Sequence, residues 1–245
     1  MIQENLWQLE RGRNSTDPMR ISVLVHDCIA RGKSNDCGGA RYNQLEPNIL
    51  GMSNTIESLN VIQKLIFEEK RITVEELKNA LASNYEGQEE LLLKIRNQTT
   101  HFGTGDAAAN TLAKRVADSV LNAFAPMTTV RGAKVIPGAF SYREHELQGK
   151  TTPASPDGRK YGMPLNDGSC PVQGYDNLGP TLSLISTTSW EPSRFLGGTS
   201  VNVKLNQGIE PDKIAALIRG YLKTHGSQLQ FNIVNAQTLI DAQKK

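Results

Sequence analysis

The chain has 245 residues, 38% hydrophobic and 21% charged, with a formal net charge of +2 and no Lys/Arg run. That is ordinary globular usage, and scattered basic residues argue against nucleic acid or an anionic membrane as partner. No apolar run approaches the roughly 20 residues that cross a bilayer, and the polar opening MIQENLWQLERGRNSTD is not a signal peptide, so cytoplasm is the expected compartment.

Residues 1–20 read as irregular, with Pro18 near their end. Ile21 to Ile29 has a helical rhythm that Gly32 can stop. In CGGARYNQLEPN, Gly38 and Gly39 permit positive φ and Pro47 breaks any helix. Ser53 to Glu69 is the clearest helix, with Ile56, Leu59, Ile62, Leu65 and Ile66 on one face. Thr73-Val-Glu-Glu76 is a capping box opening a second helix whose Leu77, Ala80 and Leu81 face inward. Glu89 to Arg96 is a third helix and Asp106 to Phe124 a fourth, with Asp106 at the positive helix start.

Beyond Pro126 strand signals dominate. Gly138 to Tyr142, Thr181 to Thr188 (TLSLISTT), Thr199 to Asn206 (TSVNVKLN) and Gln228 to Val234 (QLQFNIV) read as strands. Pro211 to Thr224 is an amphipathic helix between the last two, and Asn235 caps a final helical turn. Strand, helix, strand predicts parallel pairing and an α/β architecture: 21–125 mainly helical, 126–245 strand-rich.

Candidate chemistry is sparse. The stretch ASPDGRKYGMPLNDG, residues 154–168, combines turn formers with charge. Asp157-Gly158 can make a tight turn and Arg159 can pair with a carboxylate, so a structural clamp is favoured over an anion site; phosphate-loop spacing is absent. His101-Phe-Gly-Thr-Gly105 precedes a helix that could hold an anion, but Asp106 already fills that end. Cys28 reads as a buried small hydrophobe, while Cys37 and Cys170 could be exposed nucleophiles without a visible base. His145 in REHE reads as a solvated face rather than a base. Cysteine and histidine spacing supports no metal site, and the glycosylation patterns at Asn14 and Asn97 carry no weight without a secretory signal.

Several segments in order resemble the glycyl radical enzymes, the pyruvate formate-lyase-like family. They are GGARYN at 38–43, IESLNVIQKLIFEEKRITVEEL at 56–77, HFGTGD at 101–106, PGAFSYREHELQG at 137–149 and ASPDGRKYGMPLNDG at 154–168. LGPTLSLIS at 178–186, GTSVNVKLN at 198–206 and QLQFNIVNAQTLIDAQ at 228–243 complete the set. The resemblance implies a pyruvate formate-lyase-like α/β barrel made of two half-barrels of parallel strands wrapped in helices, of which residues 21–245 would form part. It implies radical chemistry on a small-molecule substrate, with a cysteine that becomes a thiyl radical and a glycine that stores the radical. A separate S-adenosylmethionine iron–sulfur activase would install that glycyl radical, and no other cofactor is expected on this chain.

The family's Gly-Cys-x-Glu loop and its RVxGYxA motif are both absent from the sequence, and Cys28, Cys37 and Cys170 do not take the cysteine's place. Thr104 stands where the family usually has Asn, and Ala109 or Asn110 where an acid is common. The expectation is therefore a C-terminal-half segment of a lyase, dehydratase or decarboxylase, that is inactive alone. The alternative is an inert short or split homologue that binds a complementary chain or a second copy. A hydrolase using Cys37 or Cys170 is a third, weaker option. The 154–168 loop, with Asp157, Gly158 and Arg159, would connect two strands and keep its charge for shape. Alternate strand residues should face the substrate: Phe140 and Tyr142 (or Ala139 and Ser141), Ile185 or Ser186, and Val201 or Val203, with the parity left open.

Overall fold

The computed structural model describes residues 2–12, 19–97 and 100–244. The sequon at Asn14 lies outside these residues, and the one at Asn97 runs partly outside them. In chain order the elements are α1 (Ile2–Gly12), α2 (Met19–Ser22), α3 (Cys28–Arg31) and α4 (Met52–Val61), then α5 (Val74–Ala82), α6 (Glu89–Arg96), α7 (Ala107–Phe124) and α8 (Glu144–Gly149). They continue with α9 (Pro180–Thr188), β1 (Ser200–Leu205), α10 (Pro211–Lys223), β2 (Gln228–Ile233) and α11 (Ala236–Gln243).

The N-terminal segment departs from expectation: residues 2–12 are helical, with Trp7 Nε1 donating to the Thr128 carbonyl at 2.7 Å. The apolar run from Ile21 splits into α2 and α3, the latter ended by Gly32 at φ +60° as expected. The long helix from residue 53 is present, but its second half, Ile62–Glu68, widens into a π-helix in which Glu69 N donates to Lys64 O at 2.8 Å. Of its expected inner face, Ile56 and Leu65 are buried and Leu59 is exposed. The capping box at Thr73 forms reciprocally with Glu76, and Asp106 caps α7 by accepting from Ala109 N at 2.9 Å. Along α7, Ala109, Ala113 and Ala117 lie four apart on one side, and their small side chains let α4 pack closely through Met52 and Ile56.

TLSLISTT is a helix, α9, where the alternation predicted a strand. Gly179 at φ +97° turns the chain and Pro180 supplies a helical φ at the first position. The buried hydroxyls are then satisfied within reach of a helix: Thr187 Oγ1 donates to Leu184 O at 3.1 Å, and Ser186 Oγ accepts from Gly105 N at 3.0 Å. Tertiary partners thus override β propensity.

β1 and β2 pair in parallel, Ser200 opposite Gln228 through Leu205 opposite Ile233, with α10 as the crossover. The array extends through single parallel bridges: Ala139 with Thr199, Gly138 with Asn48, and Val135 with Leu45. Gly138 to Tyr142, expected as a strand, contributes only its first two residues to this array. Four parallel segments therefore lie side by side, which is part of the expected α/β barrel, with less regular strand than the composition of 126–245 suggested. Val201, Val203 and Leu205 point to the helix side and form a core with Leu184 of α9 and Tyr221 of α10. No helix among the described residues is long and apolar enough to cross a membrane.

Candidate functional site

The face of β1 away from α9 and α10 carries Ser200 and Asn202. With Gln228 and Gln230 of β2, Phe140, Tyr142, Asp167 and the Gly197-Gly198 turn, they line a cleft of about 460 Å³. The glycines have a physical reason to be there. A side chain on Gly197 would sit 2.8 Å from Gly138 N, and one on Gly138 would meet Gly197 C at 2.9 Å, so the two backbones can only pass each other bare.

Asp167 organises the polar end. Its Oδ1 accepts from Ser141 Oγ at 2.5 Å, and its Oδ2 accepts from Asn202 Nδ2. Ser141 Oγ also accepts from Gly168 N at 3.0 Å and lies 3.0 Å from His145 Nδ1. A hydroxyl has one proton, which goes to Asp167, so His145 Nδ1 must be the donor in its contact with Ser141 Oγ. His145 is thereby tied into the cleft's support, not spread on a solvated face as its acidic neighbours suggested. Asp167 stays partly exposed, with lone pairs left for a hydroxyl or amine. Asn202 likewise keeps its Oδ1 and a second N–H. Phe140 and Tyr142 meet edge to face, ring centroids 5.1 Å apart, as the apolar wall.

Of the positions expected on the cavity wall, Phe140 and Tyr142 are brought together here. Ser141 lies just beneath, hydrogen-bonded to Asp167. Val201 and Val203 face the core between sheet and helices. Ser186 is fully buried against Gly105, and Ile185 lies on an apolar groove between α9 and α10. Sequence reasoning missed Ser200, Asn202, Asp167, Gln228 and Gln230. The alternation in TSVNVKLN contained the signal: the apolar residues take the helix-covered side, which leaves Ser200 and Asn202 for the other.

The 154–168 loop is a buried polar clamp. Asp157 Oδ1 accepts from Ser155 Oγ at 2.5 Å and from Arg159 N at 3.3 Å, and Oδ2 accepts from Asn54 Nδ2 at 2.6 Å. Gly158, at φ +85°, closes the turn with its N–H on Ser155 O at 3.0 Å. The expected pairing of Arg159 with a carboxylate is not made. Its guanidinium donates instead to the carbonyls of Lys160, Met163, Thr152 and Pro153, and to Ser155 Oγ. Burial lowers the guanidinium's pKa, with the Asp157 charge opposing that shift. Nor does the loop join two strands: it runs from α8 toward α9 and docks on α4, where Asn166 Oδ1 accepts from Ser53 N at 3.1 Å and Asn54 N at 3.3 Å. Gly51 at the cap position of α4 has no side chain, so Asn166 caps that helix from 112 residues away.

At HFGTG, Glu57 is completely buried, accepting from Phe102 N and lying 3.0 Å from His101 Nδ1, while the His101 ring stacks on Tyr175 at 3.9 Å. The segment is an internal tie. Cys28 is buried as expected and Cys37 is exposed. Cys170 is half-buried against the Asn202 backbone, and burial pushes its thiol up to about 12, which keeps it protonated and poorly nucleophilic. No cluster of three or more metal-ligating side chains occurs among the described residues.

These features meet a clear family. The pyruvate formate lyase-like model matches residues 3–149 and the glycine radical model matches residues 165–245. The chain belongs to the pyruvate formate lyase-like family of glycyl radical enzymes. It is 33% identical to a probable dehydratase, YbiW, of Escherichia coli over 91% of this chain and 29% of that one. It is 32% identical to a (2S)-3-sulfopropanediol dehydratase of Klebsiella oxytoca over 92% of this chain and 28% of that one. The fold matches the glycerol-bound B12-independent glycerol dehydratase of Clostridium butyricum with a TM-score of 0.86 and 33% identity, covering 91% of this chain and 29% of that one. The chain thus spans under a third of the length of these relatives.

Proposed function

We propose that this chain is a segment of a glycyl radical lyase, a dehydratase acting on a small hydroxylated substrate, and that it supplies one wall of the substrate cavity. The observation that carries this reading is the cleft on the sheet face opposite α9 and α10. A partly exposed carboxylate, Asp167, and a carboxamide, Asn202, stand there beside an aromatic wall. Asp167 and Asn202 would take hydroxyl groups of the substrate as hydrogen-bond donors and acceptors. Phe140 and Tyr142 would cover its carbon chain and exclude water. Ser141 and His145 would hold Asp167 in place. The glycine radical match over residues 165–245 supports the radical class, and the radical would come from an S-adenosylmethionine iron–sulfur activase acting on the whole enzyme. No residue of this chain is assigned to carry the radical. The cytoplasm is the compartment this reading requires.

The experiment introduces Asn202→Leu into the complete enzyme in its native cell. Anaerobic extracts, with activase and S-adenosylmethionine present, are then assayed for aldehyde formation from glycerol and propane-1,2-diol. Loss of at least roughly a hundredfold in kcat/KM, with the glycyl radical signal intact, is expected from removing two hydrogen-bonding groups at the substrate. Unchanged turnover of diols by Asn202→Leu, or no diol turnover by the activated parent, would sink the reading.

The second reading is that the chain pairs with a complementary chain. It is favoured by β2, whose residues are half-buried or exposed and whose outer edge has no partner strand among the described residues. A 1:1 complex in analytical ultracentrifugation with the remaining portion of the enzyme expressed separately would support it. A monomer in that mixture would remove it.

A further inference from the structure

A separate cavity of about 700 Å³ shares no lining residue with the cleft just described. It opens between the C-terminus of α6, the 154–168 loop and residues 172–178. Its volume lies within the range of roughly 300–1,000 Å³ usual for small-molecule sites. The charged residues on its wall are two arginines, Arg96 and Arg159, and one aspartate, Asp157. Two of these three are fully engaged. Asp157 has both oxygens hydrogen-bonded, and the Arg159 guanidinium is spread over backbone carbonyls. Arg96 is different. Among the described residues its guanidinium has neither an ion pair nor a hydrogen bond. Three further side chains on the wall, Asn97, Gln173 and Asn177, also have carboxamides without partners among the described residues. Met163, Pro164 and Leu178 supply an apolar side to the same space.

We propose that this cavity binds a small organic monocarboxylate. Its carboxylate lies on the Arg96 fork, assisted by the amides of Asn97 and Asn177, and its hydrocarbon part lies on Met163, Pro164 and Leu178. Guanidinium presents paired donors that match a carboxylate, which suits Arg96 to this ligand over a neutral one. A monoanion is favoured over phosphate because one cation is free to balance it and much of the wall is apolar. The neighbouring His101–Tyr175 stack, pinned by Glu57 beneath and by Tyr175 Oη donating to Asp157 O at 3.0 Å, holds one wall rigid, so the ordering on binding is confined to Arg96 and the exposed carboxamides. The site is independent of the radical-lyase reading and stands or falls without it.

The test titrates the 15N-labelled 245-residue chain with isobutyrate, with isobutyramide as its neutral isostere, and with inorganic phosphate. Isobutyrate is expected to shift the amides of Asn97, Gln173, Tyr175 and Asn177 in a saturable way. Isobutyramide should bind roughly tenfold more weakly, the loss of one charge-assisted pair. Arg96→Gln, an exposed change at a helix end, should weaken isobutyrate by the same roughly tenfold and leave isobutyramide untouched. No shift with isobutyrate overturns the proposal. So does equal binding of acid and amide, which would make the cavity merely apolar, and so does tighter binding of phosphate, which would make it an inorganic-anion site. The comparison of acid with amide is made on the unmutated chain, so it decides the matter even if the variant were to misfold.

Discussion

Asp157, Arg159 and Asn166 carry more structure than any other three side chains of the loop they share. Each is buried; Asp157 and Asn166 tie the loop to α4 over more than a hundred residues, and Arg159 ties the loop to itself through carbonyls within seven residues. Asp157→Ala would strand the Asn54 amide, the Ser155 hydroxyl and the Arg159 N–H in the interior, so a loss of about 3 kcal/mol is expected from urea unfolding. Asn166→Ala removes the borrowed cap of α4 and should cost about 1–2 kcal/mol in the same measurement. That the loop is structural was legible from its turn residues. Which groups Arg159 would meet was not, because the loop's own carbonyls converge on the guanidinium only through the turn geometry around Gly158, which residue types alone do not specify. Cysteine reactivity separates likewise by environment. Iodoacetamide at pH 8 should label Cys37 within minutes, and Cys28 and Cys170 only after denaturation, as read by mass spectrometry of peptides. The Cys170 thiol, raised by burial from 9.0 to about 12, and Tyr221, raised by burial to about 12, hold their protons longer when folded. The native state binds more protons than the unfolded one across that window, so stability should be level below about pH 9 and fall as the pH rises toward 12.

At the scale of elements, the outcome depends on how locally each was determined. α5, α6, α7, β1, α10, β2 and α11 stand where period, caps and turn residues placed them, since Thr73, Asp106, Pro211 and Asn235 act within one turn of their own helix. α9 is the clear departure. Its alternation of Thr, Leu, Ser and Ile is equally a strand's pattern, and the decision falls to Gly179, Pro180 and the buried contacts of Ser186 and Thr187. The two faces of β1 should respond differently to truncation. Val203→Ala, on the core side, is expected to lower stability by about 2 kcal/mol. Asn202→Ala, on the cleft side, should leave the unfolding midpoint nearly unchanged, because its Asp167 partner can turn to water. Gly197→Ala should cost about 1–3 kcal/mol, since its new Cβ would meet backbone and not a movable side chain. Comparing the three midpoints in one urea series checks all of them.

For the molecule as a whole, protection should decline from the α4–α7 core toward the C-terminus. α4 and α7 bury Ile56, Ala113 and Ala117 completely or nearly so, whereas every described residue of α11 is exposed. Amide exchange by mass spectrometry should therefore be slowest in α4, α7 and β1 and fastest in β2 and α11. Equal protection of α11 and α7 would mean that α11 is covered by another chain or copy. Ordinary charge, the helical first half, the parallel β1–α10–β2 unit and the family resemblance were determined by the sequence itself, because they rest on local period, capping chemistry and short motifs that act within a turn or a strand. The tertiary structure alone decided that α9 is a helix, that four chain segments lie parallel through single bridges, and that Asp167, Asn202, Phe140 and Tyr142 share one cleft. Those outcomes depend on contacts between residues tens to over a hundred positions apart, and a side chain's partner at that range is set by how the whole chain packs, which no local pattern encodes.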